Sequence, residues 1–239
     1  MPEQLGKIER LEAEHFKQGK KLYLVPLVYF AEEAPDEYKE KCNHYWQQVA
    51  EQLTNLAAKI GKVNRVYHES IFQSGEDGMK ALERLDPSSY QIARTHCDNG
   101  ATFETIEEKE LLEEVMDWQR CLMLGFISDR VANKVSEFYV EAARKRNESM
   151  AKKIGETLKD DEAGLVFIRE QHSVQFPSDV EVFSIFPPAL DEIHRWLRDQ
   201  ARIGVDKVAE ESKGKAEGEA EGVEKKAKRG RKKEPKGQS

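Results

Sequence analysis

A chain of 239 residues can build one good-sized hydrophobic core, or one domain with an appendage. Charged residues are 35% of it and apolar residues 38%, and no apolar run approaches the ~18–20 residues of a membrane span, so a transmembrane protein is not expected. The net charge of −7 is unevenly spread: 11 Lys and Arg face 8 Asp and Glu from Ile203 onward, which leaves 27 basic against 37 acidic residues in 1–202.

Such an acidic body repels nucleic acid, whereas the basic end attracts it. Cys42, Cys97 and Cys121 are odd in number and scattered, without a C-x-x-C pair. Reduced thiols and a cytoplasmic setting follow, and Met1-Pro2-Glu3-Gln4 shows no secretory pattern.

In chain order, residues 3–18 are expected as a short helix through Leu5, Ile8 and Leu11. Leu22 to Phe30 is the most continuously apolar run and reads as a strand buried on both faces, with a bend or early end at Pro26. Pro35-Asp36 opens a helix whose stripe runs through Tyr38, Cys42, Tyr45, Val49, Leu53, Leu56 and Ile60 to a stop at Gly61. Val63 to Tyr67 follows as a strand. This β-α-β order implies a crossover between parallel strands.

Gly75 to Leu85 reads as a helix, Asp86-Pro87-Ser88-Ser89 as a loop and Tyr90 to Ala93 as a short strand. Thr105 and Glu108 have the spacing of a capping box for a helix burying Leu112, Val115 and Trp118. Ser128 or Asp129 caps a long helical pattern through Val131, Val135, Phe138, Ala142, Met150, Ile154 and Leu158. Gly164 to Ile168 is the next buried strand, Val180 to Phe186 the last, and Pro187-Pro188 precedes a final helix. The whole predicts an α/β fold: one domain over 1–202 with a mostly parallel sheet and long amphipathic flanking helices. Residues 203–239, rich in Lys, Glu, Gly and Ala, are expected to be a disordered tail.

In parallel sheets, ligands bind beyond the carboxyl ends of the strands. Those ends carry Glu32 and Glu33, His68 and Glu69, and Arg169, Glu170 and His172. Carboxylates and imidazoles together could hold a divalent metal or divide acid and base roles, although polar strand ends are ordinary in so charged a chain. Arg144-Lys145-Arg146 reads first as a solvated helix face, with room for an anion-binding role at Arg146. Walker, dinucleotide, G-x-S-x-G and H-E-x-x-H motifs are absent.

In the tail, Lys228, Arg229, Arg231 and Lys232 surround an Arg-Gly-Arg core that resembles an AT-hook without its following proline. Residues 224–239 are therefore the expected contact for nucleic acid or an acidic partner, beside the plainer reading as a solubilising tail.

Arg146-Asn147 opening a helix with Met150-Ala151, then strand 164–168 and His172, resembles the C-terminal part of the TraB/Tiki-like superfamily, which includes ChaN and erythromycin-esterase-like domains. The likeness would span about residues 20–200, with Glu69 matching the family's acidic residue. It implies Glu69, Arg146 and His172 as site residues, with Glu69 and His172 as metal ligands in a metal-dependent hydrolase. Two departures weigh against that chemistry. Pro26 to Phe30 contains no histidine, and Arg169 stands where the second motif has glycine. The balance favours a degenerate, non-catalytic interaction domain, with the hydrolase as the alternative.

Overall fold

The computed structural model describes residues 18–203, and these fall into two units that part between Leu190 and Asp191. The expected helix over residues 3–18 and the tail contacts lie outside the described residues, apart from residue 18. Of the second unit, residues 191–203 are described, and they are helical.

The first unit is an α/β layer structure around five parallel strands. β1 is Lys20–Pro26, β2 Val63–His68, β3 Thr102–Glu104, β4 Ala163–Ile168 and β5 Val180–Ser184. Their order in space is β3-β2-β4-β1-β5, and every pairing is parallel. β1 stops at Pro26, which lacks the amide that would carry the ladder onward.

The helices are α1 (Asp36–Lys59), α2 (Gly75–Leu85), α3 (Pro87–Asp98), α4 (Lys109–Met123) and α5 (Asp129–Thr157). Because side chains alternate along a strand, each interior strand feeds two cores. Leu22, Leu24, Tyr67, Val166 and Ile168 pack with Met150, Ile154 and Leu158 from the α5 side. On the other face, Trp46 of α1 lies 6.1 Å from Phe167, and the Tyr45 hydroxyl donates to the Pro26 carbonyl. Gly164 is needed in β4 for space: a Cβ there would come within 2.9 Å of both Leu22 and Tyr67.

Three local expectations are corrected. Residues 90–93 are helical, not a strand, because Asp86 caps α3 by accepting from the Ser88 amide at 3.1 Å and Pro87 supplies its first turn. Thr105 caps nothing: its hydroxyl donates to the Ile71 carbonyl at 2.8 Å, and Glu108 occupies the N-cap of α4. Trp118 is half-buried rather than core, stacked on Phe138 with ring centroids 4.9 Å apart. Among the described residues no helix is long and apolar enough to cross a membrane.

Candidate functional site at the carboxyl ends of the strands

Three segments leaving the sheet converge on the middle of α5. Glu69 follows β2, Glu107 lies between β3 and α4, and Arg169 to His172 follow β4. The α5 stripe Ala142, Arg146, Met150 and Ile154 faces inward at four-residue steps, so Arg146 enters the protein on the same face as the core residues. The two preceding cations stay outside. Arg144 pairs with Glu148 at 2.7 Å and Lys145 with Glu141 at 2.9 Å, as a solvated face should.

Arg146 is only 5% exposed, and Glu107 only 2%. The Arg146 Nε donates to Glu107 Oε2 at 3.0 Å, and its Nη2 donates to the other oxygen of the same carboxylate, a two-point arrangement suited to guanidinium. Glu69 Oε2 lies 3.8 Å from Arg146 Nη2 and accepts from Arg169 Nε at 3.2 Å. The Ser70 amide donates to Glu107 Oε1 at 3.0 Å, and Lys153 Nζ donates to the Glu107 carbonyl at 2.8 Å. Ser70 holds φ at +71°, a left-handed conformation that a serine adopts only when its surroundings impose it. Burial works to lower the Arg146 pKa, but the hydrogen bond and charge of Glu107, with Glu69, outweigh it and hold the guanidinium above its ordinary value.

His172 closes one side of a pocket of about 90 Å³ that Glu69, Arg146, Asn147 and Arg169 also line. At ~30 Å³ per water, this admits roughly three waters or one small polar group. Burial lowers the His172 pKa against the opposing pull of Glu69, so the ring is neutral near pH 7. Its Nδ1 is buried without a hydrogen-bond partner among the described residues, and its ring lies 5.6 Å from that of Phe176. Tyr139, Asn147 and Ser173 are shared with an open groove of about 660 Å³ along α5.

The sequence-expected residues Glu69, Arg146 and His172 thus line one pocket. Glu32 and Glu33 do not: they are exposed on the loop after β1. His68 is fully buried on the α1 side, and both ring nitrogens are engaged. Nδ1 donates to the Glu69 carbonyl, which leaves Nε2 to accept from the Ser89 hydroxyl at 3.3 Å. Burial drives its pKa down to about 4, against the smaller opposing effect of that carbonyl.

The site does not suit a divalent metal. Among the described residues no three His, Cys, Asp or Glu side chains gather as a ligand set. Glu69 and His172 are two donors, fewer than the three protein ligands of even an open catalytic zinc site. The positive charge beside Glu69 is already provided by Arg169 and Arg146.

Glu107 is the central residue that sequence reasoning missed. It sits in a loop, 39 positions before the arginine it binds, and the signal available was a carboxylate just ahead of α4 on the same strand-end surface. Comparison with protein families, with curated proteins and with solved structures finds no match for this chain.

Proposed function

We propose that this chain is a non-catalytic α/β interaction domain of TraB/Tiki-like type, with its basic end contacting nucleic acid or an acidic partner. The observation that carries the reading is the Glu107–Arg146–Glu69–Arg169 network. Two carboxylates meet two guanidiniums, so the strand-end site is neutralised by the protein's own charges. A hydrolase working through a metal needs carboxylates free to ligate, and one working without it needs a nucleophile beside a base. Here Glu69 is already paired, and although Ser173 lines the pocket with His172, the buried His172 Nδ1 has no hydrogen-bond partner among the described residues; the enclosed volume of about 90 Å³ is also below that of ordinary ligand sites.

Two measurements test this. Elemental analysis after loading the purified chain with zinc, manganese or iron should find no stoichiometric metal, in the wild type as in His172→Ala. Bound metal lost in that variant would instead establish the hydrolase site. Binding to a DNA duplex should weaken steeply with salt and disappear when residues 224–239 are removed. Binding that survives the truncation would overturn the assignment of contact to the basic end.

A further inference from the structure

Helix α5 forms one wall of the open groove of about 660 Å³, and Ser173 and Gln175, from the segment after β4, line the other. The groove runs along the helix from Tyr139 to Ala151, ~18 Å at the usual rise, which is the span of roughly five residues of extended chain. On its inner side it opens into the strand-end pocket, since Tyr139, Ala143, Asn147 and Ser173 line both. The pocket is small by itself; with the groove it reaches the size of an ordinary binding site.

The backbone beside the groove indicates the form of the occupant. Ser173 and Gln175 are exposed, Val174 is buried and Phe176 is half-buried, the alternation of an extended segment. Residues 173–176 belong to no strand and make no backbone–backbone hydrogen bond among the described residues. An extended stretch with unpaired amides and carbonyls, facing a helix across a groove, is where an added peptide strand pairs.

The charges indicate its chemistry. Of the residues lining the groove, Arg144 and Glu148 are charged, and they pair with each other at 2.7 Å. In the pocket, Glu69 and Glu107 are matched by Arg146 and Arg169. A charged occupant would bring an unpaired charge to a balanced site, whereas a neutral one does not. Hydrogen-bonding capacity remains. Among the described residues the Asn147 amide group makes no hydrogen bond, Arg169 uses only its Nε on Glu69, and the buried His172 Nδ1 has no partner. Mixed donors and acceptors suit a group that both donates and accepts, and room for roughly three waters is room for the three heavy atoms of a carboxamide.

We propose that this groove binds an extended segment of a partner protein, which pairs its backbone with residues 173–176 and places the carboxamide of an Asn or Gln side chain in the strand-end pocket. The interface is separate from the contact assigned to residues 224–239. Selection from displayed random peptides of about seven residues against the full chain tests it, followed by fluorescence polarisation with the synthetic peptides. The enriched sequences should share Asn or Gln at one position, and Asp or Lys in its place should weaken binding at least ~10-fold. N-methylation of alternate peptide amides should weaken it similarly, with the intervening amides tolerant. Asn147→Leu should raise the dissociation constant at least ~10-fold with an unchanged circular dichroism spectrum. Gln91→Leu, in a separate cleft between α1 and α3, should leave it unchanged. Raising salt from ~50 to ~300 mM should alter this neutral contact less than ~2-fold, unlike binding through the basic end.

A library without an enriched sequence overturns the proposal, as does enrichment of acidic or basic residues in place of Asn and Gln. Equal binding by Asn147→Leu, or a steep fall with salt, overturns it too, and uniform tolerance of N-methylation overturns the backbone pairing. Cleavage of the bound peptide, read by mass spectrometry, would support the groove and contradict the non-catalytic reading, so the two fail separately.

Discussion

The two halves of α5 share one helix and comparable apolar spacing, yet their surroundings give them different roles. In the half that lies over the sheet, Ala142, Arg146, Met150 and Ile154 are all buried. In the first half, Val131, Val135 and Phe138 continue the stripe without one buried residue. Periodicity marks the face a helix offers; the neighbouring elements decide what that face is worth.

The comparison can be tested by truncating both stripes. Met150→Ala should destabilise by about 2–5 kcal/mol, since the cavity opens among packed strands, whereas Val131→Ala should cost less than ~0.5 kcal/mol in dilute solution. Urea unfolding of both variants reads the difference, and equal costs would break the distinction between the halves.

A second expectation concerns pH and the sheet's other face. His68 is neutral in the fold with its pKa near 4, whereas an unfolded histidine takes its proton near 6.5. Between those values the unfolded chain binds more protons, so stability is present above about pH 6.5 and is lost as pH falls towards 4, by up to about 3 kcal/mol. Unfolding midpoints across that window should slope accordingly, and His68→Asn should flatten the slope; an unaltered slope would place the titration elsewhere. His172 has its pKa lowered in the same direction, but it is only half-buried and contributes less.

The smallest expected effect is at the start of α3. Asp86→Ala removes the acceptor for the Ser88 amide and should cost about 1 kcal/mol in the same assay. No loss would mean that Pro87 alone holds the helix start.

The sequence was most legible where a single element carried its own pattern. β1, α1, β2, α2 and β4 were readable because apolar runs and stripes lie within one contiguous segment. Tyr90 to Ala93 was misread because four apolar and polar residues fit either period, while Asp86-Pro87, a cap followed by a first-turn proline, held the deciding signal. β3 has only three residues and no period to detect.

At the site, Glu69 and His172 stand out in the sequence at their strand ends and Arg146 in the helix ahead of β4, but the chemistry of the group does not. Whether a buried carboxylate is free or neutralised depends on partners 39 to 100 residues away in sequence. His68 shows the same limit in reverse: it stood at a strand end like a ligand, and the fold used both its nitrogens.

The central claim is that the strand-end site is an ion network closed on itself, and a double-mutant cycle between Glu107 and Arg146 tests it most directly. By urea unfolding, Glu107→Leu and Arg146→Met should each cost about 3–5 kcal/mol, because each strands its partner's charge in the interior. The double variant should cost far less than the two together, with a coupling of at least ~2 kcal/mol. Costs that simply add, within ~0.5 kcal/mol, would contradict the account and return Glu107 and Arg146 to independent roles.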